Sequence, residues 1–172
     1  MGYTSYLEKY KIIRVTPTVD AGTAYGAGEV LFNPTEIPNA VREDGGCSKL
    51  VGGYVFDKSD GSDDITFVFT EGNTALGTIN ATANVSDADL LANNICGITK
   101  VDNDQASSNA WIDNSKIHQM LPGSSVSENT QDLLLLQAAS GSKSVFIQGI
   151  LVSGTTPTFA DGDLQIILHI EK

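Results

Sequence analysis

Cysteine, aromatic residues and long apolar runs are all scarce in this chain of 172 residues. Aromatic side chains make up 7% of it, and Cys47 and Cys96 are its two cysteines. Two cysteines are too few for a zinc site or a disulfide framework. We expect two buried thiols in a protein made in a reducing cytoplasm, rather than a disulfide. The longest apolar runs, 133–136 and 147–152, are far shorter than the roughly 20 residues that cross a bilayer. No membrane partner is therefore expected.

Positive charge is scarce as well. Ten Lys and Arg residues stand against 21 Asp and Glu residues, which gives a net charge of −11. A surface this negative repels phosphate backbones, which argues against nucleic acid as a partner. It is compatible with a partner protein that has a basic surface. With 41% apolar and 18% charged residues, the chain has the composition of a folded globular protein.

The chain is rich in apolar residues that alternate with a period of two. The clearest set lies in the last ten residues, where one face holds Leu164, Ile166, Leu168 and Ile170. Such alternation is typical of a half-buried strand. Further strands are predicted at 12–16, 29–32, 49–56, 65–69, 95–101, 116–121, 132–137 and 144–152. The last of these is apolar on both faces, as a covered central strand would be. The pair Gly52-Gly53 suggests a β-bulge or a close backbone approach.

One short helix is predicted near residues 86–94. Ser86 can cap it, and Asp87 and Asp89 favour its positive N-terminal end. Many short strands with turn-rich connections and one short helix predict an all-β, single-domain β-sandwich, with a jelly roll as one option. We expect residues 11–172 to form this domain and residues 1–10 to be an N-terminal arm or edge segment.

The first ten residues hold Tyr3, Tyr6 and Tyr10, three of the five tyrosines. Tyrosine provides a large contact area at a low entropic cost. The segment is therefore expected either to lie on the domain as a strand or to dock on a neighbour, and these tyrosines are candidate partner contacts.

Catalytic motifs are missing from the sequence. His118 and His169 are the two histidines, and neither has a nucleophile at a familiar spacing. No nucleophile elbow, zinc-protease motif or phosphate-binding loop occurs. We therefore predict no catalytic residues, no cofactor and no enzymatic activity.

The loop at 57–64 carries Asp57, Asp60, Asp63 and Asp64. Calcium binds several oxygen ligands on a flexible turn, so these residues are the candidate metal ligands. The loop lacks the spacing of an EF-hand, and we favour a solvated hairpin loop without a metal.

Trp111 is the single tryptophan and has polar neighbours on both sides. Such a side chain could stack on a sugar ring, which makes it a candidate partner contact. We favour the alternative, in which it plugs the open end of the sandwich core.

The order of the short segments resembles a known family. From about Arg14 onward it comprises 15–20, 21–29, 39–42, a glycine-led strand from Gly45, Asp57, 65–69, 86–90, 97–99, 133–141, 154–159 and a final alternating strand. This order is similar to that of small β-rich virion proteins of tailed bacteriophages, some of which decorate the head. The tyrosine-rich first ten residues and the segment around Trp111 depart from it.

That resemblance implies a capsid decoration protein, made in the bacterial host cytoplasm and placed on the phage head surface. The implied partner is the major capsid protein, and the implied state is a homo-oligomer, with a trimer favoured. The family has no catalytic residues to transfer. The alternative is a tail or host-recognition module that binds carbohydrate.

Overall fold

The computed structural model describes residues 9–59, 61–103, 109–122, 134–153 and 156–172. Ten strands and one helix lie within these ranges. They are β1 (Tyr10–Val15), β2 (Val30–Ile37), β3 (Cys47–Asp57), β4 (Asp64–Thr70), α1 (Asp87–Ala92), β5 (Ile95–Val101), β6 (Asn109–Ile112), β7 (Ser115–Pro122), β8 (Leu134–Gln137), β9 (Val145–Ser153) and β10 (Leu164–Glu171).

The strands form two antiparallel sheets. The first sheet has the order β1-β10-β3, and the far edge of β3 is shared by β8 along its first half and β7 along its second half. The second sheet has the order β2-β9-β4-β5. The predicted all-β sandwich is therefore confirmed.

Strand β7 connects the two sheets at one side of the sandwich. Its residues 116–120 pair with β3, whereas Leu121 and Pro122 pair with Lys100 and Thr99 of β5. A strand that changes sheets in this way makes a corner. On its other edge β7 pairs with β6 through a tight turn at Asp113, whose φ is 56°. No pattern in the sequence predicted β6.

The core lies between the two sheets. Alternate side chains of each strand point inward, as the pleat requires. One continuous apolar cluster contains inward residues of both sheets, among them Ile13, Leu50, Val55, Met120, Leu168, Phe32, Phe67, Phe69, Val101 and Ile147.

The outer face of the second sheet is partly covered by the chain itself, while Ile98 of the edge strand β5 remains exposed. Val68 and Val30 pack there against Leu76, and partly buried residues of the connection from β4 to β5, including Leu90 of α1, surround them. The fully buried Gln148 holds this connection, because its Oε1 accepts from Leu76 N at 3.0 Å and its Nε2 donates to Thr74 O at 3.1 Å. Strand β9 is therefore covered on both faces, as its apolar pattern predicted.

Two local predictions are also confirmed. The α1 helix has Ser86 as its N-cap, whose side chain accepts from Asp89 N. The register of β3 and β10 shifts between His169 and Ile170, which marks a bulge beside Gly52. No helix in the described part of the chain is long and apolar enough to cross a membrane.

Replacing Gln148 with alanine should lower the free energy of unfolding by about 2 kcal/mol, because two buried hydrogen bonds are lost and Leu76 N is left unpaired. Chemical denaturation measures this loss. Gln165→Ala, at a half-buried position of β10, is the matched control and should cost less than about 0.5 kcal/mol. Equal losses in the two variants would contradict the role assigned to Gln148.

Candidate functional site

Within the described part of the chain, the outer face of the first sheet carries more exposed large apolar side chains than that of the second, on which Ile98 is also exposed. The outward residues of β1, β3, β6 and β8 include five large apolar ones, at positions that the pleat and the strand pairing place on one side. We call this surface the open face, and its five residues are Tyr10, Ile12, Tyr54, Ile112 and Leu135.

One side of the open face is formed by the edge strand β1 and its neighbours β10 and β3. Ile12 is opposite His169 in the strand pairing and is 52% exposed. The ring of His169 lies edge-on to the ring of Tyr54, with 5.5 Å between the ring centroids. His169 is thus an outward, half-buried histidine in contact with an aromatic side chain. Its environment suits contact with a partner surface.

The structure describes one of the three tyrosines of the predicted arm. Tyr10 is the first residue of β1, where it faces outward and is 59% exposed. It therefore belongs to the open face and to the sheet. Tyr3 and Tyr6 lie outside the described residues.

The acidic loop is neither solvated nor a hairpin, which corrects our expectation. Asp57 ends β3 in the first sheet and Asp64 begins β4 in the second, so the loop crosses between the sheets. Asp57 and Asp63 are buried. The physical reason is that a connection between two packed sheets passes over the end of the core.

The Asp57 carboxylate stabilises the loop by accepting hydrogen bonds from other loop residues. Asp57 Oδ1 accepts from both Ser59 N and Ser59 Oγ at 2.7 Å, and Asp57 Oδ2 accepts from Gly61 N at 3.3 Å. Burial raises the pKa of the Asp57 carboxyl, and the Ser59 hydrogen bonds oppose that rise. Among the described residues, no three histidine, cysteine or carboxylate side chains could together hold a metal ion. Asp60 lies outside these residues.

Trp111 does not plug the core, and that expectation was wrong. It lies in β6, 59% exposed, and pairs across the hairpin with Lys116. The Lys116 ammonium is 4.0 Å from the centroid of the indole ring, which is a cation–π distance. The indole is exposed because β6 is an edge strand that extends past the core.

Lys116 and His118 both point inward from β7 and are almost fully buried. Lys116 Nζ donates to Asn103 Oδ1, and Asn103 N donates to Asp64 Oδ1 at 2.8 Å. These contacts join the loops at one end of the sandwich. Burial first, and then the Lys116 ammonium, lower the pKa of His118 to about 4, while Asp64 opposes this. His118 is therefore neutral at neutral pH.

The two cysteines are free thiols. Cys47 is exposed, so the expectation of a buried thiol was wrong there, because Cys47 is the first residue of β3 and faces outward from the end of the sheet. Cys96 is half-buried, with its Sγ 3.5 Å from both the amide nitrogen and the carbonyl oxygen of Gln137. Burial raises the pKa of the Cys96 thiol, which disfavours the reactive thiolate.

No pattern in the sequence predicted the open face as a surface. Its members come from strands that are far apart in the chain, so no local motif connects them. The signal that could have found them is the second face of each alternating strand. In β1 and β10 that face carries Ile12 and Ile167, where a solvated strand would carry polar residues.

Acidification should destabilise the protein through His118. The His118 side chain takes up a proton near pH 6.5 in the unfolded chain, but only near pH 4 in the folded chain. The free energy of unfolding therefore falls as the pH drops through this window, by about 2 kcal/mol from this group. His118→Gln removes the contribution. Denaturant unfolding from about pH 7 to about pH 4.5 should give a flatter profile for the variant, and parallel profiles would contradict the assignment.

Comparison with protein-family models, with curated proteins and with solved structures finds no match for this chain. No relative therefore lends it a role. Among the described residues, the open face gathers five exposed large apolar side chains on one side of a single sheet.

Proposed function

We propose that this chain is a capsid decoration protein of a tailed bacteriophage, which binds the major capsid protein on the head surface and stabilises the head. The observation that carries the proposal is the open face. Exposed apolar side chains gathered on one side of a protein are typical of protein–protein contact surfaces. The order of strand and turn segments, which resembles that of phage virion proteins, supplies the class of partner.

The strand order supports a finer description of the fold. The sheets β1-β10-β3-β7 and β2-β9-β4-β5 face each other across one core, and this order is that expected of a jelly roll made of two Greek keys. We infer that the sandwich is a jelly roll. Viral capsid domains and lectins both use that architecture, so the fold agrees with either role by analogy and chooses neither.

A head-surface role also agrees with the charge and the chemistry of the chain. Decoration proteins bind in many copies, so modest contacts at each site add up through avidity. An acidic protein remains soluble at the concentration that this requires. The proposal includes a symmetric homo-oligomer, with a trimer favoured, synthesis in the host cytoplasm, no cofactor and no catalytic activity.

A charge placed on the open face should weaken head binding. Tyr54→Asp puts a carboxylate at the centre of the face, where it would have to be desolvated on docking. We expect an affinity for expanded heads at least about tenfold lower than that of the unmodified protein, as at a central contact residue. Co-sedimentation of purified protein with heads that lack it measures the affinity.

The matched control is Leu91→Asp, which adds the same charge at a 78% exposed apolar residue of α1, over the second sheet. This variant should bind as the unmodified protein does. Failure of the unmodified protein to bind heads would reject the decoration proposal. Equal weakening by both variants would reject the open face as the contact.

Deletion of residues 1–8 in the same assay should lower head binding if Tyr3 and Tyr6 add contacts.

A carbohydrate-binding role is the second candidate, and the exposure of Trp111 favours it. One face of the indole ring is occupied by the Lys116 ammonium at 4.0 Å, which leaves the opposite face for stacking on a sugar. Ile112, the next residue, is 56% exposed but points to the opposite side of β6, so the stacking surface is the indole ring itself. An exposed aromatic ring on a rigid strand is the arrangement that sugar-binding surfaces use.

Under this second candidate, Trp111→Ala should abolish binding on a glycan array, because the stacking ring is lost. Ile112→Ala removes exposed apolar area on the opposite side of the same strand, and it should retain binding. An unmodified protein that binds no glycan on the array would remove this candidate, and so would equal losses in the two variants.

A further inference from the structure

Four basic side chains meet in one groove although the protein as a whole is strongly acidic. The groove is open, has a volume of about 360 Å³, and is lined by Tyr10, Asn39, Val41 and the four cations. These four are among only ten basic residues in the chain. They come from β1, the connection from β2 to β3, the turn before β9 and the end of the chain, and they are Lys11, Arg42, Lys143 and Lys172.

The four cations lie close enough to repel one another. Burial, followed by the positive charges of Lys11, Arg42 and Lys143, lowers the pKa of Lys172. Lys143 has Asp44 Oδ1 at 4.0 Å, with both side chains largely exposed, and the other three form no ion pair with a described residue. Among the residues that line the groove, positive charge is therefore in excess. Four like charges with a single long ion pair among them cost free energy that a bound anion would offset.

The backbone holds the groove in a preformed shape. Val41 N donates to Lys143 O at 3.2 Å, and Gly45 N donates to Ser142 O at 2.8 Å. These bonds join the connection before β3 to the turn before β9. Lys172 N donates to Lys9 O at 2.8 Å, which fixes the end of the chain beside β1. A ligand would meet cations whose backbone is already ordered, so less conformational entropy is lost on binding.

We propose that this groove binds a carboxylate-rich peptide segment of a partner protein. The Arg42 guanidinium matches a carboxylate in a two-pronged hydrogen bond, and the lysines supply further charge. The exposed ring of Tyr10 provides apolar contact for the peptide backbone and side-chain stems. The proposal stands independently of the decoration role, since it concerns the isolated protein.

The charge of the rest of the molecule favours a short acidic peptide over nucleic acid. Outside the groove, the remaining six basic residues are opposed by 21 acidic ones. A long polyanion would extend beyond the groove onto this negative surface and be repelled. A short segment needs only local complementarity, because salt screens charges more than about 8 Å away at physiological ionic strength.

The test is fluorescence anisotropy with a labelled hexaglutamate peptide and the full chain. The unmodified protein should bind it saturably, should not bind hexaglutamine, and should bind more weakly as salt is raised. The double variant Arg42→Gln, Lys143→Gln should bind hexaglutamate at least about tenfold more weakly, because two of the charges that hold the carboxylates are lost.

The double variant Lys58→Gln, Lys100→Gln removes the same charge at exposed positions away from the groove, and its affinity should change less than about twofold. Equal weakening in the two double variants, or no saturable binding by the unmodified protein, would overturn the proposal. Tighter binding of an oligothymidylate or of inorganic phosphate than of hexaglutamate would also overturn it. Circular dichroism confirms that each variant remains folded.

Discussion

The inward side chains of the two sheets form one continuous apolar core, and the positions of all the surfaces follow from it. Each sheet has to bury one face, and the strand pairing then determines which residues point outward. The change of β7 from the first sheet to the second closes one side of the core. The loops at the ends of the sandwich are drawn over it, and for this reason Asp57, Lys116 and His118 are buried although they are polar.

The two outer faces are covered by the rest of the chain to different extents. The connection from β4 to β5 covers the second sheet, with Gln148 pairing its backbone, so that face contributes a second small core. The first sheet has no such cover in the described part of the chain, and its outward Ile12 and Tyr54 remain exposed. Large apolar side chains on an exposed sheet face weaken solubility, which a net charge of −11 offsets. Docking of a partner on that face, as we propose, would explain why such side chains are kept there.

The charge is unevenly distributed as well. Most of the molecule repels anions, yet four cations meet in a groove next to Tyr10, at one end of the open face. A partner with both apolar and acidic side chains would be complementary to the two surfaces together. The buried Lys116 and His118 lie in a different place and serve the fold. Hydrogen bonds and the indole ring of Trp111 account for the buried Lys116 ammonium, and desolvation accounts for the neutral His118.

Much of the strand pattern was readable from the sequence, because period-two alternation, the cap at Ser86 and the glycine pair at 52–53 act over a few neighbouring residues. Strand β6 was missed because four residues with polar neighbours show no clear alternation, and pairing with β7 supplies their order. The sequence by itself determined an acidic, all-β sandwich without long apolar segments. Only the tertiary structure decided which outer face is exposed, that the acidic loop crosses between sheets, and that Lys11, Arg42, Lys143 and Lys172 meet. These contacts join residues up to the full length of the chain apart, and packing creates them, so no local pattern encodes them.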